Sequence, residues 1–131
     1  MNVLLDTHVW LWMQVTPERL GSDAVVVVED LANVLWLSAA SSWEIAIKFR
    51  LGKLPLPEPP ATYVPARMQT SGVAPLHIEH RHTLRVADLE LYHRDPFDRI
   101  LIAQAQIENA RILTADEQFR KYDVELIPAG T

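Results

Sequence analysis

Short apolar runs of strand type alternate along this chain with longer segments of helical period. Residues 3–5, 35–38, 73–76, 111–113 and 125–127 read as five strands, with helix-like segments between them. That alternation predicts an α/β domain on a mainly parallel sheet. The first predicted helix, residues 7–13, is apolar almost all round, with Val9, Trp10, Leu11, Trp12 and Met13 in one run. Ser22 could cap a second predicted helix reaching about residue 34. Its Val25-Val26-Val27-Val28 run has strand propensity, but Val27, Leu31 and Val34 recur at helical spacing. Ser41 or Ser42 caps a third helix through Arg50, which Gly52 stops. Residues 54–60 carry four prolines and read as a stiff extended spacer. Further helices are expected over 61–70, 79–88 and 96–109, with a short last one over 116–122.

Four acids stand at the joints of this pattern. Asp6 ends the first apolar run, and Asp116 follows Arg111-Ile112-Leu113-Thr114. Both should therefore lie at the carboxyl edge of a parallel sheet, where ligands collect. Glu44 sits within Trp43-Glu44-Ile45-Ala46-Ile47, and Asp98 opens the long apolar helix after Asp95-Pro96-Phe97. Each has an ordinary structural reading. Asp6 could cap the first helix. Asp95 fits an N-cap, Pro96 the first helical position, and Asp98 the third, where an acid complements the helix dipole. Thr114-Ala115-Asp116-Glu117 matches a capping box with Thr114 as the cap. Glu44 precedes Lys48 by four residues, a favourable helical ion pair. Its neighbours are nearly all apolar, however, and a buried lone carboxylate is costly without a partner. Taken together the four form a candidate carboxylate cage. Oxygen donors of this kind suit Mg²⁺ or Mn²⁺, and such ions promote hydrolysis of phosphodiesters.

Composition narrows the class. At 131 residues and 49% hydrophobic, the chain is expected to form a single domain over 1–131. There is no cysteine, which excludes disulfides, thiolate metal sites and cysteine nucleophiles. No apolar stretch reaches the length of a membrane span, and Asp6 interrupts the only apolar run near the start. A cytoplasmic protein with no membrane partner is the expectation. The net charge of −5 argues against a simple nucleic-acid coat, but clustered carboxylates awaiting metal account for much of it. Lys48, Arg50 and Lys53 form one basic group, and Arg94 and Arg99 another around Asp95 and Asp98. Such residues suit a polyanionic substrate. For Arg50 and Lys53 a solvated face is the preferred reading. His77, His80 and His82 lack the rigid spacing of a zinc site and read as loop or helix-start residues.

The same residues carry a resemblance. Leu4-Leu5-Asp6-Thr7-His8, Ser42-Trp43-Glu44-Ile45-Ala46-Ile47-Lys48, Leu51-Gly52-Lys53-Leu54, His93-Arg94-Asp95-Pro96-Phe97-Asp98-Arg99 and Leu113-Thr114-Ala115-Asp116 resemble the PIN-domain ribonucleases. The likeness is strongest to the VapC-type toxins of bacterial toxin–antitoxin modules, and it spans the whole chain in order. It implies a three-layer α/β/α fold with a mainly parallel sheet of about five strands. It implies Mg²⁺- or Mn²⁺-dependent endonucleolytic cleavage of RNA, a homodimer, and a cognate antitoxin as protein partner. By motif it makes Asp6, Glu44, Asp98 and Asp116 the catalytic, metal-holding acids, with Thr114 and Asp95 in support. Lys48, Arg94 and Arg99 become candidate RNA contacts. One departure is Leu89-Glu90-Leu91-Tyr92 before His93, where the pattern would carry a proline.

Other classes fit less well. A haloacid-type phosphatase wants a second Asp two residues after the first, and that position is His8. A receiver domain wants adjacent acids at the first strand and its phosphoacceptor on a later one. An inactive PIN-like binding module, or a housekeeping RNA-processing nuclease, would share the scaffold.

Overall fold

Strand side chains alternate between two faces, and here both faces are covered. The computed structural model describes residues 1–130. Its five strands are β1 (Asn2–Leu5), β2 (Val34–Ser38), β3 (Ala74–Leu76), β4 (Arg111–Thr114) and β5 (Leu126–Pro128). All pair in parallel, in the order β3-β2-β1-β4-β5. Helices α1 (Thr7–Val15), α2 (Ser22–Glu29), α3 (Ala39–Arg50), α4 (Pro60–Ser71), α5 (His80–Arg85) and α6 (Pro96–Glu108) connect them. Val3, Leu5, Leu35 and Leu37 point into one core with Val9, Trp10, Ala24 and Tyr63 of α1, α2 and α4. Leu4 and Ile112 point the other way, into a second core with Leu101, Ile102 and Phe119. The result is a three-layer α/β/α fold on a five-stranded parallel sheet, as the sequence pattern and the resemblance both imply.

The strand order has a functional consequence. From β1 the chain winds outward through β2 to β3, then returns to the other side of β1 to form β4 and β5. The order therefore reverses between β1 and β4. In open parallel sheets the crevice at such a point, beyond the strands' carboxyl ends, is the natural ligand site. Asp6 follows β1 directly, and its N–H donates to the Leu113 carbonyl of β4 at 3.0 Å.

Local chemistry sets the helix boundaries. The Asp95 carboxylate accepts from the N–H groups of Phe97 at 2.9 Å and Asp98 at 3.3 Å, and Pro96 begins α6 as expected. The helix ends where Asn109 turns left-handed, at φ 52°. α4 closes on Gly72, also left-handed at φ 69°.

The larger differences from the sequence expectation fall at four helices, and Gly21, not Ser22, stands at the N-cap of α2. The second helix stops at Glu29 rather than near residue 34. Asn33 there donates its side-chain amide to the Val27 carbonyl at 3.0 Å, and Asp30 accepts from Ala32 N–H, closing a turn. Leu31 is wholly exposed, so its helical spacing is not used, and Val34 opens β2 instead. The third helix is capped by Ser38, not by Ser41 or Ser42, because it starts directly at the end of β2. The 79–88 segment divides into α5 and a 3₁₀ turn over Val86–Asp88. The final short helix is a 3₁₀ turn, Glu117–Lys121, capped by Asp116 rather than Thr114. Among the described residues no helix is long and apolar enough to cross a membrane.

Candidate metal centre

Beyond the β1–β4 edge lies a cleft of about 400 Å³. Asp6, Glu44, Asp95, Asp98 and Asp116 all line it. Every acid singled out from the sequence is thus brought to one place, from β1, α3, α6 and the turn after β4. Asp6 is buried and held from two sides. Its Oδ1 accepts the Thr7 N–H at 2.8 Å, and its Oδ2 accepts the Thr114 hydroxyl at 2.6 Å. Thr114 in turn accepts the Asp116 N–H at 2.9 Å, so its hydroxyl ties β1 to the last acid. The turn itself starts two residues later, where the Asp116 carboxylate accepts the Gln118 N–H at 2.9 Å. Thr7 donates its hydroxyl to Ser41 of α3 at 2.8 Å, fixing α1 against the helix that carries Glu44.

Glu44 is buried, and Lys48 donates to it at 2.7 Å. The partner that its burial demands is therefore present within the chain, one turn along α3. Hydrogen bonding to Glu44 raises the Lys48 ammonium above its usual range, with the Asp95 and Asp98 charges adding to the effect.

Asp98 and Asp116 share a neighbour that sequence reasoning did not single out. The His93 Nε2 lies 2.6 Å from Asp98 Oδ2 and 3.9 Å from Asp116 Oδ2. One ligand-type atom from each of these three residues lies within 4.8 Å of the others. Asp6 and Glu44 line the same cleft outside that tighter group. His93 heads one of the motifs that carry the resemblance, but it lies in a stretch with no helical or strand period to aim its side chain.

The electrostatics follow from crowding. Burial first and the Asp6 charge second push the Asp98 carboxyl up to about 7, against the His93 hydrogen bond. Burial also raises Asp6, opposed by the His8 charge and by the Thr114 and Thr7 hydrogen bonds. Five carboxylates line the cleft against two lysines, Lys48 and Lys53. A set of oxygen donors with excess negative charge fits a hard divalent cation such as Mg²⁺ or Mn²⁺. Lys53, read from sequence as part of a solvated face, is exposed and also forms part of this wall.

The basic residues divide. Lys48 is at the cleft and Arg94 is exposed nearby in the chain. Arg99, expected among the RNA contacts, is instead buried. Its guanidinium donates to the carbonyls of Val86, Leu89, Glu90 and His93 and to the Tyr122 hydroxyl. With its donors committed to carbonyls, it pins the loop that delivers His93, and it cannot reach a phosphate without dismantling that loop.

A second group with chelating side chains, Glu79, His82 and Glu108, lies between α5 and α6. His82 is fully buried. Its Nδ1 accepts the Glu79 N–H at 3.0 Å, so the neutral ring carries its proton on Nε2, 2.8 Å from Glu108. Arg81 bridges the same two glutamates. Both ring nitrogens are committed, and the group reads as a tie between two helices.

Comparisons with known proteins agree with this fold. Ribonuclease VapC16 of Mycobacterium tuberculosis is 56% identical over 69 residues, which is 50% of this chain and 49% of that protein. Ribonuclease VapC22 of the same organism is 28% identical over 124 residues, covering 92% of each. The chain thus matches about half the length of the first relative and nearly all of the second. Among solved structures, VapBC2 of Rickettsia felis, bound to a promoter DNA fragment, superposes with a TM-score of 0.74 at 14% identity. The match covers 98% of this chain and 99% of that one. VapBC-1 of nontypeable Haemophilus influenzae gives 0.69 at 19% identity, covering 98% of each. At such identities these superpositions speak for the fold. The PIN domain family model matches residues 3–125, and the chain belongs to that family.

Proposed function

We propose that this chain, acting as a single nuclease domain over residues 1–131, is a metal-dependent endoribonuclease. In this reading it is the toxin of a toxin–antitoxin pair. The observation that carries the reading is the convergence of Asp6, Glu44, Asp98 and Asp116 on one cleft at the point where the strand order reverses. The names of the two curated relatives, both ribonucleases, support the substrate class.

Asp6, Glu44, Asp98 and Asp116 would hold Mg²⁺ or Mn²⁺. The bound ion supplies Lewis acidity, which lowers the pKa of water and offsets charge on the phosphate. The Thr114 hydroxyl and the Thr7 N–H fix both oxygens of Asp6, so that carboxylate is oriented before substrate arrives. His93 holds Asp98 from the side facing Asp116. Asp95 keeps its place as the cap of α6 and adds charge to the cleft. Lys48 and Lys53 supply the cations that draw a phosphate backbone to an otherwise acidic site. A recessed cleft admits a splayed single strand more easily than a duplex.

The test is cleavage of total bacterial RNA with Mg²⁺ or Mn²⁺, with mapping of the product ends. Attack by water leaves no 2′,3′-cyclic phosphate, and a 2′-deoxy residue at the cut position should still be cleaved. Cyclic phosphate ends, or cleavage that survives EDTA, would overturn the metal–water reading.

The partners are a second copy of the chain and an antitoxin. Both superposed structures are of two-component VapBC assemblies, which supports the second of these. An antitoxin Arg directed at the carboxylates would compete with metal through charge-assisted hydrogen bonds. Its apolar segment would pack across α1. Trp10 of that helix is fully buried against Tyr63 and belongs to the core. Trp12 is only half-buried, with the Arg19 guanidinium 4.8 Å above its ring. Trp12→Asp is therefore expected to weaken antitoxin binding by on the order of 10- to 100-fold, as loss of an aromatic anchor does. RNA cleavage should fall less. A binding titration beside a cleavage assay measures both. Unchanged affinity would show that Trp12 is no anchor, and loss of the fold would show that it is simply core. A small upstream reading frame encoding a DNA-binding protein would identify the antitoxin.

A further inference from the structure

Trp43 is 62% exposed, although indole is among the side chains that folding most readily buries. Val26 and Leu84, also exposed, lie singly on α2 and α5, while Leu91 and Tyr92 stand together before α6. Trp43 instead pairs with a second aromatic ring across two helices. It meets Phe97 of α6 edge to face, with centroids 5.1 Å apart and planes at 77°. Such a contact braces the indole and leaves most of its surface uncovered.

The placement of the pair is informative. Trp43 immediately precedes Glu44, and Phe97 immediately precedes Asp98. Neighbouring Cα atoms are about 3.8 Å apart, so the pair stands one residue from each of the two helix-borne carboxylates, just outside the residues that line the cleft. Lys48, which lines the cleft, follows Trp43 on α3. An open aromatic pair thus spans the same two helices, α3 and α6, that bring Glu44, Lys48 and Asp98 to the cleft. A strand laid into the cleft across these helices would pass its bases over the pair. An aromatic pair is about the size of one nucleobase and far short of the roughly 800 Å² per partner of a stable protein interface.

We infer that Trp43, braced by Phe97, is the platform on which an unpaired base of the RNA stacks while the adjoining phosphate enters the cleft. This rests on the reading of the cleft as a ribonuclease site. Stacking uses the π-face that every base offers only when unpaired. Trp43 would therefore set the preference for single strands without fixing a sequence.

The probe is a labelled oligoribonucleotide spanning a cleavage site mapped in total bacterial RNA, bound to the Asp98→Asn protein so that it stays uncut. Trp43→Ala in that background should weaken binding roughly 10-fold, within the usual range for a base–aromatic stack. Trp43→Phe should restore most of the loss. An abasic substitution beside the scissile phosphate should cost a similar factor with Trp43 in place and little more in the Trp43→Ala background. The preference for single strand over duplex should narrow with it. Equal affinities, or an abasic penalty independent of Trp43, would overturn the proposal and leave the ribonuclease reading standing. A change of molecular mass on Trp43→Ala in sedimentation would overturn it in favour of a contact between copies. No metal-dependent cleavage of any RNA by the wild-type chain would overturn both readings.

Discussion

Asp6→Asn, Glu44→Gln and Asp98→Asn are each expected to lower metal-dependent RNA cleavage by on the order of 10³-fold or more, while the fold survives. The size follows from the loss of several kcal/mol of charge stabilisation, at about 1.4 kcal/mol per factor of ten. The fold survives because each amide keeps the hydrogen-bond geometry. An Asn at position 6 still accepts the Thr7 N–H, and the Thr114 hydroxyl can turn to accept instead of donate. A Gln at position 44 frees an exposed Lys48, which water satisfies. An Asn at position 98 still offers an oxygen to His93. Asp116→Asn should matter less, by roughly 10-fold, because its side chain is 31% exposed and its capping of Gln118 suits Asn equally well. Cleavage of a labelled RNA beside circular dichroism of each variant measures both quantities. Metal-dependent cleavage retained by all three variants would show that the cleft is not the site.

Raising the pH through about 7 is expected to strengthen metal binding and to weaken the metal-free fold. Both follow from Asp98, whose carboxyl rises from its ordinary 3.8 to about 7 through burial first and the Asp6 charge second. The folded state thus favours the protonated acid. That stabilisation is fully present below about pH 4, the unfolded value, and is lost as pH rises through the folded value. Asp6 shifts in the same direction and adds to the trend. Metal takes the ionised form, so its binding must displace a proton at low pH. Affinity should rise by up to about tenfold per pH unit below 7 and level off above it. Asp98→Asn cannot ionise, so at pH 8 without metal it should melt roughly 2–6 °C above the wild type. Calorimetric titration with Mn²⁺ across this range, and thermal melts in EDTA, give the two readouts. Affinity independent of pH, or an Asp98→Asn variant that melts below wild type at pH 8, would contradict the assignment of the shift.

Much of the candidate site was legible because its signals are local. Asp95-Pro96-Phe97-Asp98 announces a helix start through capping chemistry alone, and the structure places the cap where the tetrapeptide predicts. Glu44 and Lys48 pair at helical spacing as the sequence suggests. Where the local signal was shared between two tasks, it misled. Thr114 has the chemistry of a cap, but it serves two tasks, donating to Asp6 and accepting from Asp116 N–H, and Asp116 caps the 3₁₀ turn instead. Arg99 has the charge of an RNA contact, but its donors are taken by the loop above it. Leu31 keeps a helical period with Val27, yet Asn33 closes the helix before the period is used.

The sequence by itself determined the element types and the identity of the acids. Period-two and period-3.6 patterns, caps and prolines are properties of a few adjacent residues, and they act before the chain has any tertiary form. Only the tertiary structure decided which strand lies beside which. β4 returns to the side of β1 left free by β2, and that choice brings Thr114 onto Asp6 across 108 residues of chain. It also decided that His93 faces Asp98 and Asp116, through a loop held by a buried guanidinium and the Tyr122 hydroxyl. The physical reason is that the carboxylate cluster is a long-range property. Its charges repel, so no local preference would assemble it. The burial of two apolar cores on either face of the sheet holds those carboxylates together against their own repulsion.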